Sequence, residues 1–118
     1  MTSSDTLVEQ YYALKPVDFG FLECLELRQS VQPEGWSGFT LKLWLRSSTT
    51  LGAKCLNLVF NGVHDLRIGS LEGLLKFFLE IRSIREQQME AHNYRVVETE
   101  HNAFTFFCSD FSFTLEAD

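Results

Sequence analysis

The chain predicts a mainly β domain of the α+β kind. It should form an antiparallel sheet or meander of about six to eight strands, shaped as a sandwich or a partly open barrel, with one or two short helices. Three observations point there. Aromatic residues make up 14% of the 118 residues and eleven of them are phenylalanine, which suits a pleated, half-buried surface better than a helical bundle. Several runs alternate apolar and polar residues with the period of two that lays one face of a strand on a core. Turn residues separate those runs, with Asn61-Gly62 as the strongest signal. This length predicts one domain over residues 1–118, able to bury roughly 65% of the surface its unfolded chain exposes.

From Asp5 as a cap, Leu7, Val8, Tyr11, Tyr12 and Leu14 recur at three- and four-residue spacing. They predict one or two turns of helix that end before Pro16. Residues 21–31 alternate as a first strand, with Glu23 and Gln29 intruding on its apolar side. Gln32-Pro33-Glu34-Gly35 is a turn. Phe39, Leu41, Leu43 and Leu45 then alternate with Thr40, Lys42, Trp44 and Arg46, the cleanest half-buried strand in the chain. Next, Leu56, Leu58 and Phe60 share one side of a central strand that begins at Cys55. Glycine lacks a Cβ and asparagine tolerates the left-handed region, so Asn61-Gly62 predicts a hairpin turn closing a meander of three or four strands. Val63, Leu66 and Ile68 are out of phase by one residue; a bulge near His64-Asp65 accounts for the slip, with a continuing, bent strand as the alternative.

Residues 69–91 read as a short helix over 70–75 and a strand over 76–84. One long helix is the rival, but Phe77, Leu79, Ile81 and Ile84 would surround its axis. Residues 85–93 form a loop or short helix. Residues 94–100 and 104–109 form a hairpin around His101-Asn102, where asparagine can take the turn position. Phe111, Phe113 and Leu115 continue that strand or form a last one.

The formal net charge is −6, from ten Lys and Arg against sixteen Asp and Glu. That balance disfavours nucleic acid as a partner, since phosphate binding needs a basic face to release counterions. The acidity is concentrated in residues 69–118, where nine acidic and four basic residues give −5. Such a field attracts a basic partner, and it is also an ordinary way of staying soluble. Cys24, Cys55 and Cys108 are odd in number and widely spaced in apolar runs, as small buried hydrophobes in a reducing compartment would be. The first residues lack the flank and apolar run of a signal peptide, and no stretch approaches the ~18 apolar residues of a spanning helix. The expectation is a cytoplasmic protein with no membrane partner.

Candidate chemistry is sparse. His64 and Asp65 pair the residue types of a general base, but neighbours on a strand face opposite sides, so they read better as a bulge. His92, Glu98, Glu100 and His101 match no metal-ligand spacing, and Glu98 and Glu100 read as the solvated face of an exposed hairpin strand. The cysteines lack a CxxC pair, and no nucleophile elbow, phosphate loop or dinucleotide fingerprint is present. We therefore expect no catalytic residue, no metal and no cofactor. Trp36, in the turn before the second strand, and Trp44, on its polar side, are candidate interface anchors. A covering element such as the N-terminal helix is the alternative use of Trp44.

Three stretches, LNLVFNGVHDLRI at 56–68, REQQMEAHNYRVVETE at 85–100 and FTFFCSDF at 104–111, resemble small bacterial β-rich immunity proteins of polymorphic toxin systems, of the Imm50-like kind. The resemblance implies a non-enzymatic module that neutralises a cognate toxin by direct association. Glu86, Glu90, Glu98 and Glu100, together with Trp36 and Trp44, are then the candidate binding residues, the acids mimicking phosphate charge towards a basic toxin domain. The alternative is a small-ligand-binding or self-associating structural β domain.

Overall fold

The computed structural model of the chain describes residues 3–32, 35–47, 53–69, 76–84 and 93–117. In order, it contains helix α1 (Ser3–Ala13), a 3-10 turn (Pro16–Asp18), and strands β1 (Phe21–Gln32), β2 (Gly35–Arg46), β3 (Lys54–Ile68), β4 (Leu79–Ser83), β5 (Tyr94–Glu98), β6 (Phe104–Cys108) and β7 (Asp110–Ala117). All the ladders are antiparallel and build a seven-stranded sheet in the order β1-β2-β3-β6-β5-β4, with β7 also paired to β3. The mainly β, antiparallel architecture is the expected one, and the sheet does not close into a barrel. Helix α1 has eleven residues, longer than the one or two turns expected. Residues 79–83 are a strand, as expected, and the helix foreseen over 70–75 lies outside the described residues.

Strand β3 divides the sheet. Its first part pairs with β2 on one side and β7 on the other, and its last part pairs with β6. A long-stranded half (β1, β2, early β3, β7) thus joins a short-stranded half (late β3, β6, β5, β4). The expected hairpin at Asn61-Gly62 is absent, and the bent-strand alternative holds. Three steps from Phe60 to Val63 face two from Leu41 to Phe39, so β3 carries one extra residue there, with Gly62 at φ 63°. A second extra residue lies between His64 and Arg67, with Asp65 at φ 54°. A left-handed residue suits a bulge as well as a hairpin turn, and here the apolar residues beyond it find their partners in β6.

Opposite this bend, β6 passes into β7 at Ser109. The Ser109 backbone N–H and Oγ both donate to the Asn61 carbonyl at 3.0 Å, and Asn61 Nδ2 donates to Asp110 Oδ1 at 3.0 Å. A Cβ at residue 62 would run into Ser109 Oγ. Glycine is needed there both for its φ and for this close approach.

The core follows from the alternation. Leu41, Leu43 and Leu45 of β2 face Leu56, Leu58 and Phe60 of β3, and all six are buried. From the short-stranded half come Tyr94, Val96, Phe104, Phe106 and Cys108. The two sets meet ring to ring, Phe60 lying 5.0 Å from Phe106 and Tyr94 lying 4.9 Å from Phe111, both edge-on. Burying each such side chain stabilises the fold by about 1.5–3 kcal/mol.

Helix α1 closes the core from the same side. Tyr11 is fully buried, its ring 6.3 Å from those of Phe111 and Phe113. The helix also seals the free edge of β4. Tyr11 donates its hydroxyl hydrogen to the Leu79 carbonyl at 2.7 Å. The Tyr12 hydroxyl accepts the Ile81 N–H at 3.0 Å and donates to the Ile81 carbonyl at 3.2 Å. Burial pushes up the pKa of both phenols, so both stay protonated donors.

Candidate functional site

Of the expected acidic set, the fold buries Glu98 and leaves Glu100 exposed. Glu86 and Glu90 lie outside the described residues. Glu98 corrects the expectation of a solvated face: it is 0% exposed. It stands in phase with the buried Tyr94 and Val96 of β5, so strand alternation delivers it to the core side. Its carboxylate organises the turn that follows. Oε2 accepts the N–H groups of Phe78 at 3.1 Å and Glu100 at 2.9 Å, and Oε1 accepts those of His101 at 2.7 Å and Ala103 at 3.1 Å. Burial alone would raise its pKa, but these four donors outweigh that and hold it below the usual carboxylate range. Asn102 completes the turn at φ 53°, the left-handed position foreseen for it. Sequence could have flagged Glu98, since a glutamate in phase with Tyr94 and Val96 needs an internal partner.

Glu100 is exposed on that turn. It borders a groove of about 570 Å³ between α1 and the sheet, lined also by Tyr12, Lys15, Val17 and Phe78. A neighbouring groove of about 590 Å³ shares Tyr12 and Phe78 and adds Glu9, Glu80 and Arg82. Acids and bases are mixed around both rims.

Trp44 pairs with Cys24 of β1 and Asn57 of β3, on the face opposite Leu43 and Leu45, and is half-buried. Helix α1 lies on the other face, so it does not cover Trp44. Trp36 pairs with Val31, and its side chain lies outside the described residues. Glu98 is buried on the core side of the sheet and Trp44 lies on the opposite face, so these two share no surface.

The chemistry of a reaction centre is equally dispersed. Asp65 is the bulge residue beside His64, in line with the expected reading. Among the described residues no three His, Cys, Asp or Glu side chains gather as a metal set. None of the three cysteines forms a disulfide; Cys108 is buried, Cys55 half-buried, and Cys24 exposed, contrary to the buried role expected of it. Burial, with Asp110 nearby, pushes the Cys108 thiol up and away from the reactive thiolate. Among the described residues no helix is long and apolar enough to cross a membrane.

The family model of immunity protein PIM8 matches residues 3–114, from α1 into β7. The chain belongs to this family. No curated protein and no solved structure matches it. The likeness to immunity proteins read from the three sequence stretches therefore stands, with PIM8 as the family that matches. The match spans both halves of the sheet.

Proposed function

We propose that this PIM8-family chain neutralises a toxin by binding it directly, without chemistry of its own. The observation that carries the reading is the family match across residues 3–114. Dispersed titratable groups and a hydrogen-bonded antiparallel sheet accord with a preformed binding surface, which gains affinity by losing little freedom on association. The proposed site of action is the cytoplasm, a reducing compartment that suits three cysteines outside any disulfide.

The partner's charge is a finer part of the proposal. The −5 of residues 69–118 favours a basic toxin domain. Of the four acids first considered, Glu100 is the one among the described residues that stands in water, since Glu98 is enclosed by backbone donors. Glu86 and Glu90 remain proposed contacts. The test is capture of partners from lysate of the source cells at low and high salt, followed by identification by mass spectrometry. A single stoichiometric toxin, inactive while bound, is the expected result. A chain that captures no protein at either salt concentration overturns the reading.

A further inference from the structure

The outer face of the short-stranded half breaks a rule that the other half keeps. Arg82 of β4 stands directly opposite Arg95 of β5, so two like charges share one cross-strand position. Such a pair destabilises a sheet. Glu80, two residues before Arg82 on the same face, lies 2.8 Å from the Arg82 guanidinium and answers one of the two charges. Arg95 has no such answer: among the described residues its guanidinium makes no ion pair or hydrogen bond, and neither does that of Arg67.

The register brings these arginines around one strand. Arg95 is opposite Phe107 of β6 and Arg67 is opposite Thr105, so the two flank β6 from β5 and β3. Between them runs a shallow groove of about 510 Å³ with Phe107 and Thr105 as its floor and Asp65 at its margin. Arg67, Arg82 and Arg95 are exposed and Phe107 is half-buried. On the long-stranded half, by contrast, Glu26 faces Lys42 and Arg46 holds Glu23 at 2.8 Å.

We propose that this face docks a protein surface bearing carboxylates, which Arg67, Arg95 and Arg82 take across the floor of Phe107 and Thr105. The inference deepens the immunity reading and rests on it for the partner's being a protein. Three arguments support it. Local charge is complementary to carboxylates although the whole chain is acidic. A planar guanidinium grips a carboxylate through two parallel hydrogen bonds, and arginine with aromatic residues is enriched in interface cores. A like-charge pair that costs stability and gains nothing inside the fold is the kind of local conflict that marks a working surface. A bound carboxylate between the arginines relieves the conflict.

Hexaglutamate peptide, titrated into ¹⁵N-labelled chain at low salt, is the first probe. Amide shifts should concentrate at residues 65–67, 80–82, 95–97 and 105–107, and the double variant R67E/R95E should weaken the binding about tenfold or more. Shifts spread equally over Lys42 and Lys54, or binding that survives in the double variant, would overturn the proposal. Thermal melting supplies a readout that a structural role would not give: R95E removes the repulsion, so its midpoint should hold or rise, and a clear fall counts against a conflict between Arg82 and Arg95. The second arm uses the captured partner. If the partner binds R67E/R95E as tightly as it binds the unaltered chain, the docking assignment falls and the immunity reading stands. If nothing is captured while hexaglutamate maps to this face, the immunity reading falls, and with it the partner's being a protein, while the carboxylate-binding face stands.

Discussion

The long-stranded and short-stranded halves share β3 and one core, yet they are held by different means. In the first, twelve-residue strand β2 and the early part of β3 repeat one pattern, leucines inward and polar residues outward, and Glu26 of β1 faces Lys42 across the ladder. In the second, β4, β5 and β6 have five residues each. Their ladders are too short to be sufficient, and single devices complete them: the Glu98 carboxylate, the Tyr11 and Tyr12 hydroxyls, and the Ser109 clasp. The lesson is that redundancy and specificity have been placed apart. A half stabilised by repetition tolerates the loss of one contact; a half stabilised by single groups does not, and it is there that unmatched arginines face water.

The largest effect should come where the halves meet. Phe60→Ala removes the ring against Phe106 and Phe111 and should cost about 4 kcal/mol in urea unfolding. Next is Glu98→Gln, which keeps one acceptor oxygen for two of the four backbone N–H groups and turns an NH2 donor on the other two; a loss of about 2–3 kcal/mol is expected. Glu26→Gln on the other half, half-buried opposite Lys42 and 3.4 Å from the exposed Arg28 guanidinium, should stay within about 0.5 kcal/mol. Equal losses at the two positions would erase the contrast between the halves.

Acid sharpens the same point. The folded pKa of Glu98 lies below its ordinary value of 4.5, so its contribution is complete above that value and is lost as pH falls through the folded pKa. The stability gap between the unaltered chain and Glu98→Gln should be flat at neutral pH and close only under acid conditions. Gly62→Ala, with a strained φ and Ser109 in the way, should cost about 1–2 kcal/mol. Tyr12→Phe, which strips the hydroxyl from Ile81, should cost about 1 kcal/mol and speed hydrogen exchange of the Ile81 amide.

Legibility in the sequence followed the same divide. Where a strand is long and one face is buried, alternation alone locates it, as with Phe39, Leu41, Leu43 and Leu45. The pairing of residues 94–98 with 104–108, and the strand at 79–83, were also readable, since Phe77, Leu79 and Ile81 fit no single helical face. What stayed hidden was long-range. Asn61-Gly62 has the same local chemistry in a hairpin turn and in a bulge, and only the presence of β6 and β7 alongside β3 decides between them. Glu98 looked solvated because glutamate usually is; its burial depends on Phe78, twenty residues earlier, supplying an N–H. The arginine face needed the β4–β5 register, which no local pattern encodes.

One contact has a consequence for the order in which the molecule can be assembled. The Tyr11 hydroxyl and its acceptor at Leu79 are 68 residues apart in the chain. During synthesis the helix is made first, and the strand whose edge it covers appears only after β1, β2 and β3 are already out. Docking of α1 is therefore a closing step, set by loop closure and not by local helix formation. Until then β4 offers bare backbone groups to any neighbouring chain. An N-terminal deletion would thus make that transient exposure permanent, and its signature would be concentration-dependent self-association, with the secondary structure of the sheet left intact.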